Sequence, residues 1–116
     1  MHSTYATVQS TYFYNSNIPL VRVFTVVVGY MVGFKNQPIT TKQNTTIASL
    51  PQGFAGSRTS QFVKFESNSG SLTRYVFTVA NRASGATIAV TRMENSTNIS
   101  NFNSDTFVYM SNESFT

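Results

Sequence analysis

Apolar and polar residues alternate in short runs along most of this chain, and Asn, Ser, Gly and Pro interrupt the runs about every 8 to 12 residues. Period-two alternation places successive side chains on opposite faces of an extended backbone, so each run predicts a β-strand. Tyr12 and Tyr14 flank Phe13 in a first short strand. "PLVRVFTVVVGYMVGF", residues 19–34, puts Leu20, Arg22, Phe24, Val26 and Val28 in one phase and Val21, Val23, Thr25 and Val27 in the other. As a single strand it is apolar on both faces, which requires cover on both sides, within a barrel or between a sheet and a neighbouring subunit. Gly29 and Gly33 punctuate the run with a bend, a bulge or a close backbone approach.

Further strands are predicted over 45–48, 59–66, 72–80, 86–93 and 106–110. "SNSGS" (67–71) and "NRASG" (81–85) have hairpin-turn composition, and "ENSTNISNFNSD" (94–105) reads as a long polar loop. No segment shows helical periodicity, so the crossover helices of a parallel α/β sheet are not predicted. The fold class is therefore all-β: an antiparallel β-sandwich or β-barrel, jelly-roll-like, of six to eight short strands. With 116 residues the expectation is one domain over 1–116, either whole or the distal head of a longer fibre protein.

Composition narrows the chemistry. Ten Phe and six Tyr supply a core and argue against disorder. The chain has no Cys, which removes disulfides and thiolate metal sites. Its longest apolar stretch, 23–34, is shorter than the ~20 residues of a helical membrane span, and the Met1 end lacks signal-peptide character, so no membrane insertion is expected. Eight basic residues against four acidic ones give a net charge of +4. Arg22, Lys35, Lys42, Lys64, Arg74, Arg82 and Arg92 are spaced singly, as on a solvated surface, rather than clustered for phosphate contact. Nucleic acid is thus not an expected partner, although aromatic β-surfaces keep single-strand binding as a third alternative, whose mark would be steep weakening with salt.

His2 is the only histidine and sits at an end that reads as frayed, so Ser-His-Asp, Cys-His and zinc arrangements are all excluded. Glu94 and Asp105 flank one loop and can converge as a carboxylate pair, while the plainer reading makes them solvated loop acids. Asn44, Asn95, Asn98 and Asn112 begin Asn-x-Ser/Thr triplets, at about the frequency this Asn-, Ser- and Thr-rich composition gives by itself. No catalytic residue, metal site or cofactor is expected. Loops rich in Asn, Ser, Thr, Tyr and Arg suit hydrogen bonding to hydroxylated ligands, and equally suit ordinary turns.

"SLPQGFAGSRTSQF", residues 49–62, places a proline and two glycines between two apolar strands. Pro51 fixes one backbone angle and Gly53 permits a positive one, so the segment reads as a corner seating Phe54 in the core and redirecting the chain from one sheet to the next. Leu50, Pro51, Gly53, Phe54 and Ser57 resemble a Leu-Pro-x-Gly-Phe-Arg-Pro-Ser segment of receptor-binding and tail-tip proteins of phages that infect Gram-positive bacteria. Ala55 and Gly56 stand where Arg-Pro is usual. "QFVKFESNSG" then resembles the following strand and turn, and "YVFTVANRASGATIAV" the hairpin, with Gly85 before Ile88; the similarity covers about residues 45–93. It implies a small β-barrel or sandwich head at the virion tail tip, commonly a homotrimer joined to other tail proteins, that binds a host cell-envelope saccharide. Many such heads set tryptophan against the sugar, and this chain has none. Candidate ligand-binding residues are taken from polar loops and hairpin ends: Arg58, Arg92, Glu94, Asp105 and Tyr109. The alternative is a baseplate or capsid-decoration subunit that makes protein contacts only.

Overall fold

The apolar run that reads as one strand breaks at Phe24–Thr25. The computed structural model describes residues 1–8, 17–31, 39–40, 45–58, 60–68, 71–94, 98–99 and 105–116, with 39–40, 64–68, 71–73, 91–94, 98–99 and 105 described by backbone alone. Its strands are β1 (His2–Val8), β2 (Asn17–Val23), β3 (Val26–Met31), β4 (Ile39–Thr40), β5 (Thr45–Ser49), β6 (Ser60–Asn68), β7 (Ser71–Val79), β8 (Thr87–Glu94), β9 (Asn98–Ile99) and β10 (Asp105–Met110). The strand expected at 12–14 lies outside the described residues.

β2 and β3 form a hairpin in which Val23 pairs with Val26 across a two-residue turn. Phe24 takes the left-handed φ of 55° that such a tight reversal demands at its first central position. The reversal resets the phase: Ile18, Leu20 and Arg22 point inward from β2, and Val27 and Met31 point inward from β3. The double apolar character of 20–31 therefore comes from two paired strands, each with one buried face, and not from one strand covered twice.

Eight strands form a single antiparallel sheet in the order β10-β3-β2-β1-β5-β8-β7-β6, curled into a nearly closed barrel. The all-β reading holds, in its barrel form. β10 and β6, at the two ends of that order, meet where the Phe62 ring stacks on Phe107 with centroids 4.7 Å apart. Phe77 continues the stack on the other side of Phe62 at 4.8 Å. Gly29, cross-strand partner of Phe107, makes this column possible, since a Cβ there would clash with the Phe107 ring at Cζ, Cε1 and Cε2. Ala6, Ile18, Leu20, Val27, Ile47, Phe77, Val79 and Ile88 are buried with the column in one apolar cluster. Each large aliphatic or aromatic side chain so buried contributes roughly 1.5–3 kcal/mol.

Two local readings change. The corner after β5 does not pass between sheets, because β5 and β6 belong to the same one; it crosses the barrel end past β8 and β7. Its turn is as expected: the Phe54 N–H donates to the Pro51 carbonyl at 3.1 Å, Gly53 has φ 91°, and Leu50 and Phe54 are buried. The chain start is not frayed either. β1 pairs with both β2 and β5, and the His2 ring stacks on Phe115 at 3.8 Å. Among the described residues no helix is long and apolar enough to cross a membrane; a single 3-10 turn, Arg82–Ser84, is capped by Asn81 Oδ1, which accepts from the Ser84 N–H at 2.9 Å.

Candidate functional site

The strand directions give the barrel two unlike ends. At one end lie the β2–β3 turn, the corner 50–58, the 3-10 turn and the last residues, 111–116. At the other end lie Val8, Asn17, Met31, Thr45, Asn68, Ser71, Glu94 and Asp105, the strand ends that flank the connections 9–16, 32–44, 69–70 and 95–104. These connections are rich in Asn, Ser, Thr and Gln. β4 and β9 pair two of them, Ile39 opposite Ile99.

The first end is sealed by a polar network built from residues far apart in the chain. Arg22 occupies an inward strand position between apolar neighbours and is buried. Its Nε donates to the Phe24 carbonyl at 2.6 Å, and its Nη1 donates to the carbonyls of Gly53 at 2.5 Å and Glu113 at 2.6 Å. The guanidinium also lies over the Phe115 ring, 4.6 Å from its centroid, a cation–π contact. One side chain thus satisfies three carbonyls that turns and tail leave outside the strand ladder.

Glu113 provides the matching acceptor. Its Oε1 accepts from the Gly53 N–H at 2.7 Å and the Ala55 N–H at 3.2 Å, and Arg82 grips both carboxylate oxygens at 2.8 Å. The Arg82 hydrogen bonds, helped by the two backbone donors, hold the Glu113 carboxyl at about 2, well below the ordinary value for a glutamate. The Glu113 ion pair raises the Arg82 guanidinium in turn. This carboxylate is an ionised acceptor with its lone pairs engaged, which fits it to fastening the tail over the corner rather than to moving protons.

The five residues singled out from sequence are not brought together. Arg58 is exposed at the sealed end, in left-handed backbone with φ 56°. Tyr109 is 3 % exposed; it lines the inside of the wall and donates from its hydroxyl to the Phe54 carbonyl at 2.7 Å. Burial pushes that phenol's pKa up. Tyr109 is therefore a structural strut rather than a surface contact. Arg92 and Glu94 lie on β8, opposite Val76 and Arg74, and Asp105 opens β10 opposite Met31; the side chains of these three are outside the described residues. β8 and β10 are separated around the wall by β7 and β6, so Glu94 and Asp105 share an end of the barrel without sharing a strand pair. Arg58 stands at the other end, beside Ser57, whose N–H donates to the Met110 carbonyl at 2.8 Å.

Sequence reasoning placed Arg22 and Arg82 on a solvated surface; the structure corrects Arg22, which is buried, whereas Arg82 is exposed as expected and engaged by Glu113 there. The signal for Arg22 was its phase, two residues beyond Leu20 and four beyond Ile18 on the inward side of β2. Nothing in the local pattern marks Glu113 or Arg82, which meet across 31 residues. Among the described residues no group of three His, Cys, Asp or Glu lies close enough to hold a metal ion.

A second feature lies outside the barrel. On β10, β3 and β2 the outward positions Met110, Val26 and Val23 form one exposed row. Val108, Val28 and Val21 form the next, and Tyr30 and Tyr5 extend the face toward the far end. By contrast, β5, β8 and β7 turn Thr46, Ser49, Thr87, Arg74 and Thr78 outward. Among the described residues the exposed large apolar side chains of the strands concentrate on this face, with Val63 of β6 the one outside it. Comparison with known proteins returns no matching family model, no matching curated protein and no matching solved structure.

Proposed function

We propose that this chain is a non-catalytic recognition domain of a phage tail, an adhesion head that binds a host cell-envelope saccharide. The observation that carries the reading is the asymmetry of the barrel. One end is locked by the Arg22 and Glu113 networks, whereas the strand ends that flank the connections richest in Asn, Ser and Thr all lie at the other. Short hydroxyl- and amide-bearing side chains on a rigid β-scaffold can exchange hydrogen bonds with sugar hydroxyls at low charge. Arg92, Glu94 and Asp105 belong to strands at that end and remain the candidate polar contacts. The resemblance over residues 45–93, with the Pro51–Phe54 turn formed, supports a tail-tip setting. The test is adsorption of the protein to whole Gram-positive cells and to isolated wall polysaccharide. The reading expects saturable binding that free saccharide competes away and that Arg92→Ala or Asp105→Ala weakens.

A second reading, a baseplate or capsid-decoration subunit, draws on the exposed apolar face of β10, β3 and β2, which suits protein contact. No binding to cells or polysaccharide, together with tight binding to a neighbouring tail protein, would favour it.

A further inference from the structure

Phe24 stands at the tip of the β2–β3 hairpin, 90 % exposed and in left-handed backbone at φ 55°. Both properties are unfavourable in the isolated chain. A branched-out aromatic side chain is crowded at positive φ where glycine is not, and an apolar ring in water forgoes its burial energy. The turn is nonetheless firmly held: Arg22 Nε donates to the Phe24 carbonyl, and the Ser111 N–H donates to the Thr25 carbonyl at 2.8 Å. The hairpin tip that carries the ring is therefore held in place, next to the paired Val23 and Val26 and, across β10, Met110.

We infer that this face, formed by β10, β3, β2 and the Tyr5 edge of β1 with Phe24 as its knob, is where a second copy of the chain packs in an isologous two-fold dimer. Three properties of the face point to a second copy. Its eight exposed large apolar side chains leave on the order of 700 Å² in water, above the ~300–600 Å² patch of a typical monomer and near the ~800 Å² that each partner of a stable complex contributes. Its rows carry no Lys, Arg, Asp or Glu, so two copies of a chain with net charge +4 can meet there without setting like charges against each other. Finally, Thr46, Ser49 and Thr87 on β5 and β8 interrupt the girth with polar positions, whereas a lipid annulus would require apolar positions all around it.

The rows also suit a two-fold axis. An axis through the central row, Val28 and Val108, returns that row onto itself and exchanges the ends of the face. Phe24 of one copy then approaches the Tyr30 and Tyr5 end of the other, and aromatic pairs form across the interface. The proposal goes beyond the saccharide reading and does not depend on it.

Light scattering after size exclusion, with the intact chain loaded from about 1 μM to about 500 μM, tests this directly. The 12.8 kDa species should give way to one of twice that mass, 25.6 kDa, as concentration rises. Val108→Lys should move the midpoint at least about tenfold higher in concentration. Phe24→Gly should weaken association similarly while leaving the melting temperature of the dilute protein unchanged or raised, because glycine accepts the positive φ. That variant keeps the test informative should Val108→Lys fail to fold. A monomer at every concentration would overturn the proposal, as would a dimer indifferent to both substitutions. A 38.4 kDa trimer, three times 12.8 kDa, would overturn it as well, since a three-fold contact joins unlike surfaces. Co-sedimentation of the wild-type monomer with phosphatidylcholine vesicles would assign the face to lipid instead. Cell adsorption measured on the Phe24→Gly protein separates the two conclusions: retained binding leaves the saccharide reading standing whatever the oligomeric state.

Discussion

Arg82 and Glu113 meet in a fork, Nε to Oε2 and Nη2 to Oε1, both at 2.8 Å. Through that fork the 3-10 turn, the corner and the tail become one unit, because the same carboxylate accepts the Gly53 and Ala55 N–H groups and Arg82 also donates to the Leu50 and Pro51 carbonyls. The corner is fastened from both sides by residues that follow it in sequence.

Acid sensitivity follows from this geometry. The Glu113 carboxyl is held at about 2 against an ordinary 4.5, so the folded state prefers it ionised more strongly than the unfolded chain does. Its contribution is complete above pH 4.5 and is lost as pH falls toward 2. Because Arg82 is nearly half exposed and solvent screens the pair, that contribution is about 1–2 kcal/mol. Thermal unfolding of the wild type and Glu113→Gln at neutral pH and through the acid range should show a gap that narrows between pH 4.5 and 2. A gap constant with pH would show that the carboxylate charge is not what fastens the tail.

Arg22 predicts a larger effect. Arg22→Met keeps much of the apolar stem but removes the donor to the Phe24 and Glu113 carbonyls and leaves the Gly53 carbonyl only the Ser111 hydroxyl at 3.4 Å. Unsatisfied buried acceptors cost about 1–3 kcal/mol each when water cannot reach them, and water can reach the part-buried Phe24 and Glu113 carbonyls, so a net loss of about 2–3 kcal/mol is expected. Arg22→Lys should recover only part, since one ammonium cannot reproduce the fork that spans the Phe24 carbonyl on one side and Gly53 on the other. Denaturant unfolding should rank wild type above Arg22→Lys above Arg22→Met. Equal stability of all three would remove Arg22 from the closure of this end.

Gly29→Ala tests the aromatic column. The added methyl clashes with the Phe107 ring, which is itself stacked against Phe62, so the ring must shift and unstack. A loss of about 2–3 kcal/mol is expected from the overpacking. Shrinking Phe107 to Leu in the same chain should make the second substitution less than additive, because the clash is then relieved. Strict additivity in a double-mutant cycle would mean that the two sites do not touch.

How far the sequence carries this fold is seen in particular residues. The strands at 45–49, 60–68, 71–79, 87–94 and 105–110 follow from period-two alternation and turn composition, which are local properties. The break at Phe24–Thr25 was not legible, because neither residue is a turn former and the apolar run passes through without interruption. Only the pairing of Val23 with Val26 forces Phe24 into a conformation its own chemistry disfavours. Closure of the barrel end was equally hidden. Arg22, Gly53, Arg82 and Glu113 are distant in sequence and acquire their roles only when the sheet curls. For the candidate site, the alternation that placed Tyr109 on a strand did not show that its side is the inner one, and five residues selected for polar chemistry were spread by topology over both ends and the interior.

Tyr109→Phe separates the two roles considered for that residue. Its hydroxyl donates to the buried Phe54 carbonyl at 2.7 Å, so removing it leaves the carbonyl without a partner at a cost of about 1–2 kcal/mol. Burial raises the phenol's pKa above the ordinary 10.0, so the folded state disfavours its ionised form. The stability linked to the neutral phenol is present below that ordinary value and declines as pH rises beyond it. The variant should therefore be less stable than the wild type at neutral pH and should lose less on moving into strong alkali. Binding to cells or wall polysaccharide should be unchanged, because the side chain faces the core next to Phe107 and lies at the locked end of β10. Lost binding at unchanged stability would return Tyr109 to the ligand site and would require the barrel end around Phe54 to open when saccharide binds.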